Sequence, residues 1–187
     1  MTTTNIMSDE MRFSLRIREK GSQEEPFYKQ DGGRFELADA TVKLKVGIEY
    51  VISIKVDPAQ RIRDNTLVVR HEDLDASDRA PQGEGETDDD KATSLELSKD
   101  PYHHNFLAAA WKNTLLPCKK TERRTVWLVL TFDDDGSKLE IAMQAKVYRP
   151  GSSGLRNGTP LKMIQHTLAP SMLDKGAYTL RSRKYIG

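Results

Sequence analysis

Histidines, cysteines and closely spaced carboxylates are where catalysis would announce itself, and this chain of 187 residues offers few of them. His103 and His104 are adjacent. On a strand they would point to opposite faces, which suits a surface pair better than two ligands of one metal. The single cysteine, Cys118, rules out an internal disulfide and a cysteine-built zinc cluster; beside Lys119 and Lys120 it reads as a partly exposed thiol without a role. Asp133-Asp134-Asp135-Gly136 lacks the alternating acidic spacing and closing glutamate of a calcium loop and reads as a turn. Gly151-Ser152-Ser153-Gly154 does not set a serine between glycines two residues away on each side, as a nucleophile elbow requires. No glycine-rich phosphate loop is present, and Asn157-Gly158-Thr159, followed by Pro160, reads as turn sequence rather than a glycosylation site. The expectation is a protein without catalytic residues, metal or cofactor.

Composition narrows the partners. Charged residues make up 30% of the chain, yet the net charge is +1, so no general field favours nucleic acid or a membrane surface. An acidic middle is offset by a basic C-terminal end. No apolar run approaches the length that spans a bilayer, and the polar first ten residues do not resemble a signal peptide. A cytoplasmic protein is expected, with any membrane association made through its partners.

The elements that must position any site follow a period of two. In residues 41–58, Val42, Leu44 and Val46 alternate with lysines, and after Gly47 the pattern resumes through Ile48, Tyr50, Ile52, Ile54 and Val56. Such alternation marks strands with one dry face and one wet face. Gly47 supplies a turn and Pro58 a stop, so the stretch is expected to fold as a β-hairpin. Residues 11–17 alternate likewise, with Arg12, Arg16 and Arg18 on the outer face. Residues 26–29, 34–37, 65–70, 161–168 and 177–184 read as further short strands, and 106–111 as a strand in preference to the helical turn its alanines would also allow. The nearly unbroken apolar run 125–132 reads as a central strand, joined through the Asp-Gly turn to the alternating run 139–147. Acidic and turn-forming residues dominate 71–94, which is expected to be a flexible insertion that Leu95 and Leu97 leave for the sheet. About eight to ten strands with regular turn signals predict an all-β antiparallel sandwich of one domain over 11–187, preceded by a disordered leader over 1–10. Arg181, Arg183 and Lys184 fall on an expected edge strand, where charges discourage unwanted pairing.

Four aromatics, Phe27, Tyr28, Phe35 and Trp127, are candidates to line a ligand cavity, though aromatics in a sandwich are more often core. The stretch Phe27-Tyr28-Lys29-x-Asp31-Gly32-x-Arg34-Phe35 is more specific: it resembles the cannabinoid receptor-interacting protein family, which carries the same Phe-Tyr-Lys-x-Asp-Gly-x-Arg-Phe. Ser14-Leu15-Arg16-Ile17, Thr41-Val42-Lys43-Leu44, Lys55-Val56-x-Pro58, Lys146-Val147-Tyr148 and Gly158-Thr159-Pro160 are similar to the family's other segments. Ala142-Met143-Gln144-Ala145 departs from it, lacking the family's Trp. The resemblance implies an immunoglobulin-like sandwich, similar to the GDP-dissociation inhibitors of Rho GTPases. It implies a non-enzymatic adaptor that binds the cytoplasmic tail of a cannabinoid receptor or a small, Rab-like GTPase. The alternative is a lipid carrier holding a prenyl or acyl chain between the sheets, against the apolar faces of 41–56 and 139–147. The candidate partner-binding residues are Phe27, Tyr28, Lys29, Asp31, Arg34 and Phe35.

Overall fold

Each alternating run has one face to hide, and among the described residues thirteen strands form the two sheets between which those faces meet. The computed structural model describes residues 10–30, 40–72, 92–133, 136–171 and 177–187. The strands are β1 (Met11–Glu19), β2 (Phe27–Gln30), β3 (Ala40–Lys45), β4 (Glu49–Asp57), β5 (Thr66–Glu72), β6 (Ala92–Glu96) and β7 (Ser98–Lys99). They continue with β8 (Leu107–Lys112), β9 (Arg124–Thr131), β10 (Lys138–Tyr148), β11 (Thr159–Pro160), β12 (Met163–Pro170) and β13 (Tyr178–Ile186). Among the described residues the only helical turn is a 3-10 segment, Arg63–Asn65.

Two sheets face each other as a sandwich. One has the order β13-β12-β1-β4-β8-β7, the other β11-β2-β3-β10-β9-β5-β6. Among the described strands pairing is antiparallel except for β3 and β10, which run parallel, and one isolated parallel bridge joins Lys138 to Ala177. The core between them is one cluster that includes Phe13, Leu15, Ile17, Leu44, Tyr50, Ile52, Leu128, Ile141 and Met143. The expected central strand is β9, which lies between β10 and β5. The expected edge strand is β13.

Residues 41–58 do not form a hairpin. β3 belongs to the seven-stranded sheet and β4 to the six-stranded one, so the chain crosses from layer to layer at Gly47. The glycine does take positive φ, +74°. Asn113 replaces the missing ladder: its Nδ2 donates to the Lys45 carbonyl at 2.9 Å, its N–H to Ile48 O, and its own carbonyl accepts the Gly47 N–H. Val42 and Leu44 therefore meet Tyr50, Ile52 and Ile54 across the core instead of beside them. Tyr50 locks the crossing, its buried hydroxyl accepting the Lys45 N–H at 2.7 Å.

The ends of the acidic stretch are ordered: β5 runs through Glu72 and β6 begins at Ala92. Residues 73–91 lie outside the described residues, as do the leader 1–9 and the run 31–39, which holds the expected strand 34–37.

His166 on β12 is buried against Phe13, with ring centroids 5.8 Å apart. Its Nε2 accepts Arg183 Nε at 3.0 Å, while Arg183 Nη2 donates to the Ala142 carbonyl on the opposite sheet at 2.7 Å. Burial, then the Arg183 guanidinium, push the imidazole pKa down to about 3, with a backbone contact to Phe13 opposing. The unfolded chain protonates this histidine below pH ~6.5 and the folded chain does not, so stability must fall as pH drops from 6.5 toward 3. The loss between pH 7 and pH 5 is about 2 kcal/mol from this group. Urea melts at both pH values check it: His166→Gln should remove that increment, and an equal pH response in variant and parent would refute it.

Candidate functional site

Four of the segments that carry the resemblance are scattered in sequence and neighbours in one sheet, whereas Ser14–Ile17 and Lys55–Val56 lie on β1 and β4 of the other. β11, β2, β3 and β10 are consecutive in the seven-stranded sheet, and they hold Gly158-Thr159-Pro160, Phe27-Tyr28-Lys29, Thr41–Leu44 and Lys146-Val147-Tyr148. In register, Tyr28 stands opposite Val42 and Thr159, Phe27 opposite Lys43 and Pro160, and Lys146 beside Lys43.

Local sequence explains the shape. Pro26 starts β2, its carbonyl taking the Leu161 N–H at 2.8 Å. Gly158, at φ +136°, lets the returning chain pass against the Tyr28 carbonyl, where any Cβ would collide. Alternation sends Tyr28 inward and Phe27 outward. Tyr28 is buried and stacks on Tyr185 of β13 at 5.3 Å and 22°. Lys29 and Gln30 are exposed.

Lys43 is only 6% exposed although it sits on the outer face. Its Nζ donates to the carbonyls of Gly154, at 2.5 Å, and Asn157, and lies 5.8 Å from the Tyr148 ring. It thereby pins the loop 149–158 over the sheet. Gly154 rides on that same ring, since a Cβ there would come 2.9 Å from Tyr148 Cε1. Next to it, Lys45 Nζ pairs with Glu19 at 2.5 Å and Glu24 at 3.6 Å. Between the 19–25 turn, Phe27 and this loop opens a cleft of about 350 Å³ that Glu25 and Arg156 also line. There Lys45 is paired with Glu19 and Glu24, Lys43 is held by backbone carbonyls, and no lining serine is set against a base.

Of the six sequence-predicted site residues, Phe27, Tyr28 and Lys29 lie on β2, whereas Asp31, Arg34 and Phe35 fall outside the described residues. Of the four candidate aromatics Phe35 lies outside the described residues, and Phe27, Tyr28 and Trp127 do not converge on one cavity. Trp127 is on the outer face of β9, half-buried under Arg70, whose guanidinium lies 5.3 Å from the ring and bonds Glu140 at 3.1 Å. His103 packs on Phe106 and His104 is exposed. Cys118 Sγ accepts the Val147 N–H at 3.3 Å. Among the described residues no group of three His, Cys, Asp or Glu side chains is placed to hold a metal. Nor is any described helix long and apolar enough to cross a membrane. Lys43, Lys45 and Glu19 escaped sequence reasoning because charged residues on a strand's outer face read as solvated.

A sequence profile of the family described as CB1 cannabinoid receptor-interacting protein 1 matches residues 7–176. The chain belongs to this family. The match spans β1 to β12, including every strand of the β11-β2-β3-β10 group, and stops just short of β13. Among curated proteins, no sequence matches the chain. The family is defined by an interaction with a receptor and not by a reaction.

Proposed function

We propose that this protein is a non-enzymatic cytoplasmic adaptor that binds the cytoplasmic tail of a cannabinoid-type receptor, through the surface around β2. The observation that carries the reading is the family match over residues 7–176. The gathering of four resembling segments on β11, β2, β3 and β10 supports the location, because Phe27 and Lys29 offer an aromatic and a cation beside a polar cleft. Asp31, Arg34 and Phe35 join the proposed partner-binding residues on the motif alone. The chain meets the membrane through the receptor.

Isothermal titration with a synthetic receptor tail tests this. Lys29→Glu should weaken binding about tenfold or more with an unchanged melting temperature, because Lys29 is exposed. A tail that fails to bind the parent chain would overturn the reading. A Rab-class GTPase is the other protein partner the family resemblance implies, and the same titration with a GTPase in place of the peptide separates the two. The lipid-carrier alternative meets an obstacle: the faces expected to wall the cavity, on β3, β4 and β10, already fill the interlayer space with Leu44, Ile52, Ile54, Ile141 and Met143. A prenyl chain would enter only by displacing packed side chains.

A further inference from the structure

The outermost strand of the six-stranded sheet combines three properties. β13 is nine residues long, and Thr179, Leu180, Arg181, Ser182 and Lys184 on it are exposed. Leu180 shows 43% of its surface. It is also fixed in place, since Arg183 reaches inward to His166 and to the Ala142 carbonyl of the opposite sheet. Finally, neither β13 nor its neighbour β12 contains an acidic residue, while Arg181, Arg183 and Lys184 lie on β13 and Lys162 just ahead of β12.

A long, rigid edge is a template for a further strand. Its charge selects the occupant. A second copy pairing edge to edge would bring Arg181 and Lys184 against the same cations, and like charges directly opposite destabilise a ladder. An extended segment rich in Asp or Glu meets no such repulsion and sets its carboxylates against Arg181 and Lys184 instead.

We propose that β13 is a docking edge for an acidic, extended peptide segment of another protein, which adds to the sheet as a further strand. This goes beyond the receptor-tail reading and stands on a strand outside the family match.

The test uses the full chain and a capped, fluorescein-labelled peptide of alternating Glu and Val, about eight residues long. Binding is read by anisotropy and its location by amide hydrogen exchange. The peptide should bind more weakly as salt rises and should slow exchange within residues 178–186. Replacing Glu by Lys in the peptide should abolish binding. Arg181→Glu with Lys184→Glu should weaken binding tenfold or more while circular dichroism stays unchanged. Protection confined to another strand, equal affinity for the charge-reversed chain, or slowed exchange in 178–186 that appears on concentrating the chain alone would overturn the proposal. The charge-reversed chain should still bind the receptor tail, so loss of one activity is distinguishable from loss of the other.

Discussion

Gly158→Ala is expected to lower stability by about 3 kcal/mol and to detach β11 from β2. A φ of +136° lies in a region that residues with a Cβ rarely enter, at a cost on the order of 1–3 kcal/mol. In addition the methyl group would fall inside the Tyr28 carbonyl oxygen and 3.1 Å from its carbon. Neither partner can step aside: Tyr28 is held by its pairs with Val42 and Thr159 and by its stack on Tyr185. Gly154→Ala is the control. There the new methyl meets the edge of the Tyr148 ring, a side chain that can give, on a backbone without positive φ, so a loss of about 1 kcal/mol or less is expected. Urea denaturation ranks the two. A Gly158→Ala chain as stable as the Gly154→Ala chain would contradict the account. Receptor-tail affinity should fall with Gly158→Ala, because the turn orients β2 and with it Lys29.

Strand positions in this fold are written in local sequence, and strand partners are not. The alternation of Val42, Leu44, Tyr50, Ile52 and Ile54 correctly marks two strands with one dry face each. That pattern is satisfied equally by a hairpin, in which the dry faces lie side by side, and by a crossing between layers, in which they oppose. The decision rests on Asn113, more than fifty residues downstream, whose amide takes the backbone groups a hairpin would have paired. No window around Gly47 contains it. Where the partner is local, as in β9 and β10, the sequence reading of paired neighbouring strands holds: Thr131 stands opposite Lys138. The parallel pairing of β3 with β10 is likewise unreadable locally, being a contact between segments a hundred residues apart.

The candidate site shows the same division. Phe27, Tyr28 and Lys29 stand out in sequence because the motif is specific. Lys43 does not, since a lysine between two apolar residues signals only an outward direction. Its role depends on the loop 149–158 arriving overhead with two carbonyls, which makes a buried ammonium tolerable by hydrogen bonding it. Arg16 and Arg18 repeat the lesson on the other sheet. They read as a wet basic stripe, yet Phe106 packs 4.5 Å from the Arg16 guanidinium and Tyr102 lies 5.6 Å from that of Arg18. Outer faces in this protein are roofed by loops, and roofing leaves no mark on the strand beneath.

Asp100 holds the second roof, and Asp100→Ala should cost about 3–4 kcal/mol. The carboxylate is 1% exposed and accepts four donors: Ser53 Oγ at 2.5 Å, the N–H groups of Tyr102 at 2.8 Å and His103 at 3.1 Å, and Arg18 at 3.4 Å. Burial is the largest single influence and raises its pKa, but the Ser53 hydroxyl, the Tyr102 N–H, Arg18 and the His103 N–H together outweigh it, and the net shift is downward. A depressed carboxyl pKa means that its stabilisation is complete above the ordinary carboxylate range and fades only as pH falls through the lowered value. Alanine leaves the fully buried Ser53 hydroxyl and two N–H groups without their acceptor, whereas Arg18, partly exposed, can turn to water. Asp100→Asn keeps one acceptor oxygen and the volume, so a smaller loss, about 2 kcal/mol, is expected. A thermodynamic cycle isolates the cause: adding Ser53→Ala to the Asp100→Ala chain should cost little or even recover stability, because the orphaned hydroxyl leaves with it. Additive losses in that double variant would mean that the two side chains stabilise the fold separately. Hydrogen exchange across residues 101–106 should quicken in the Asp100→Ala chain well below its global unfolding, since the turn that sets Tyr102 and Phe106 over the arginines is built on this one carboxylate.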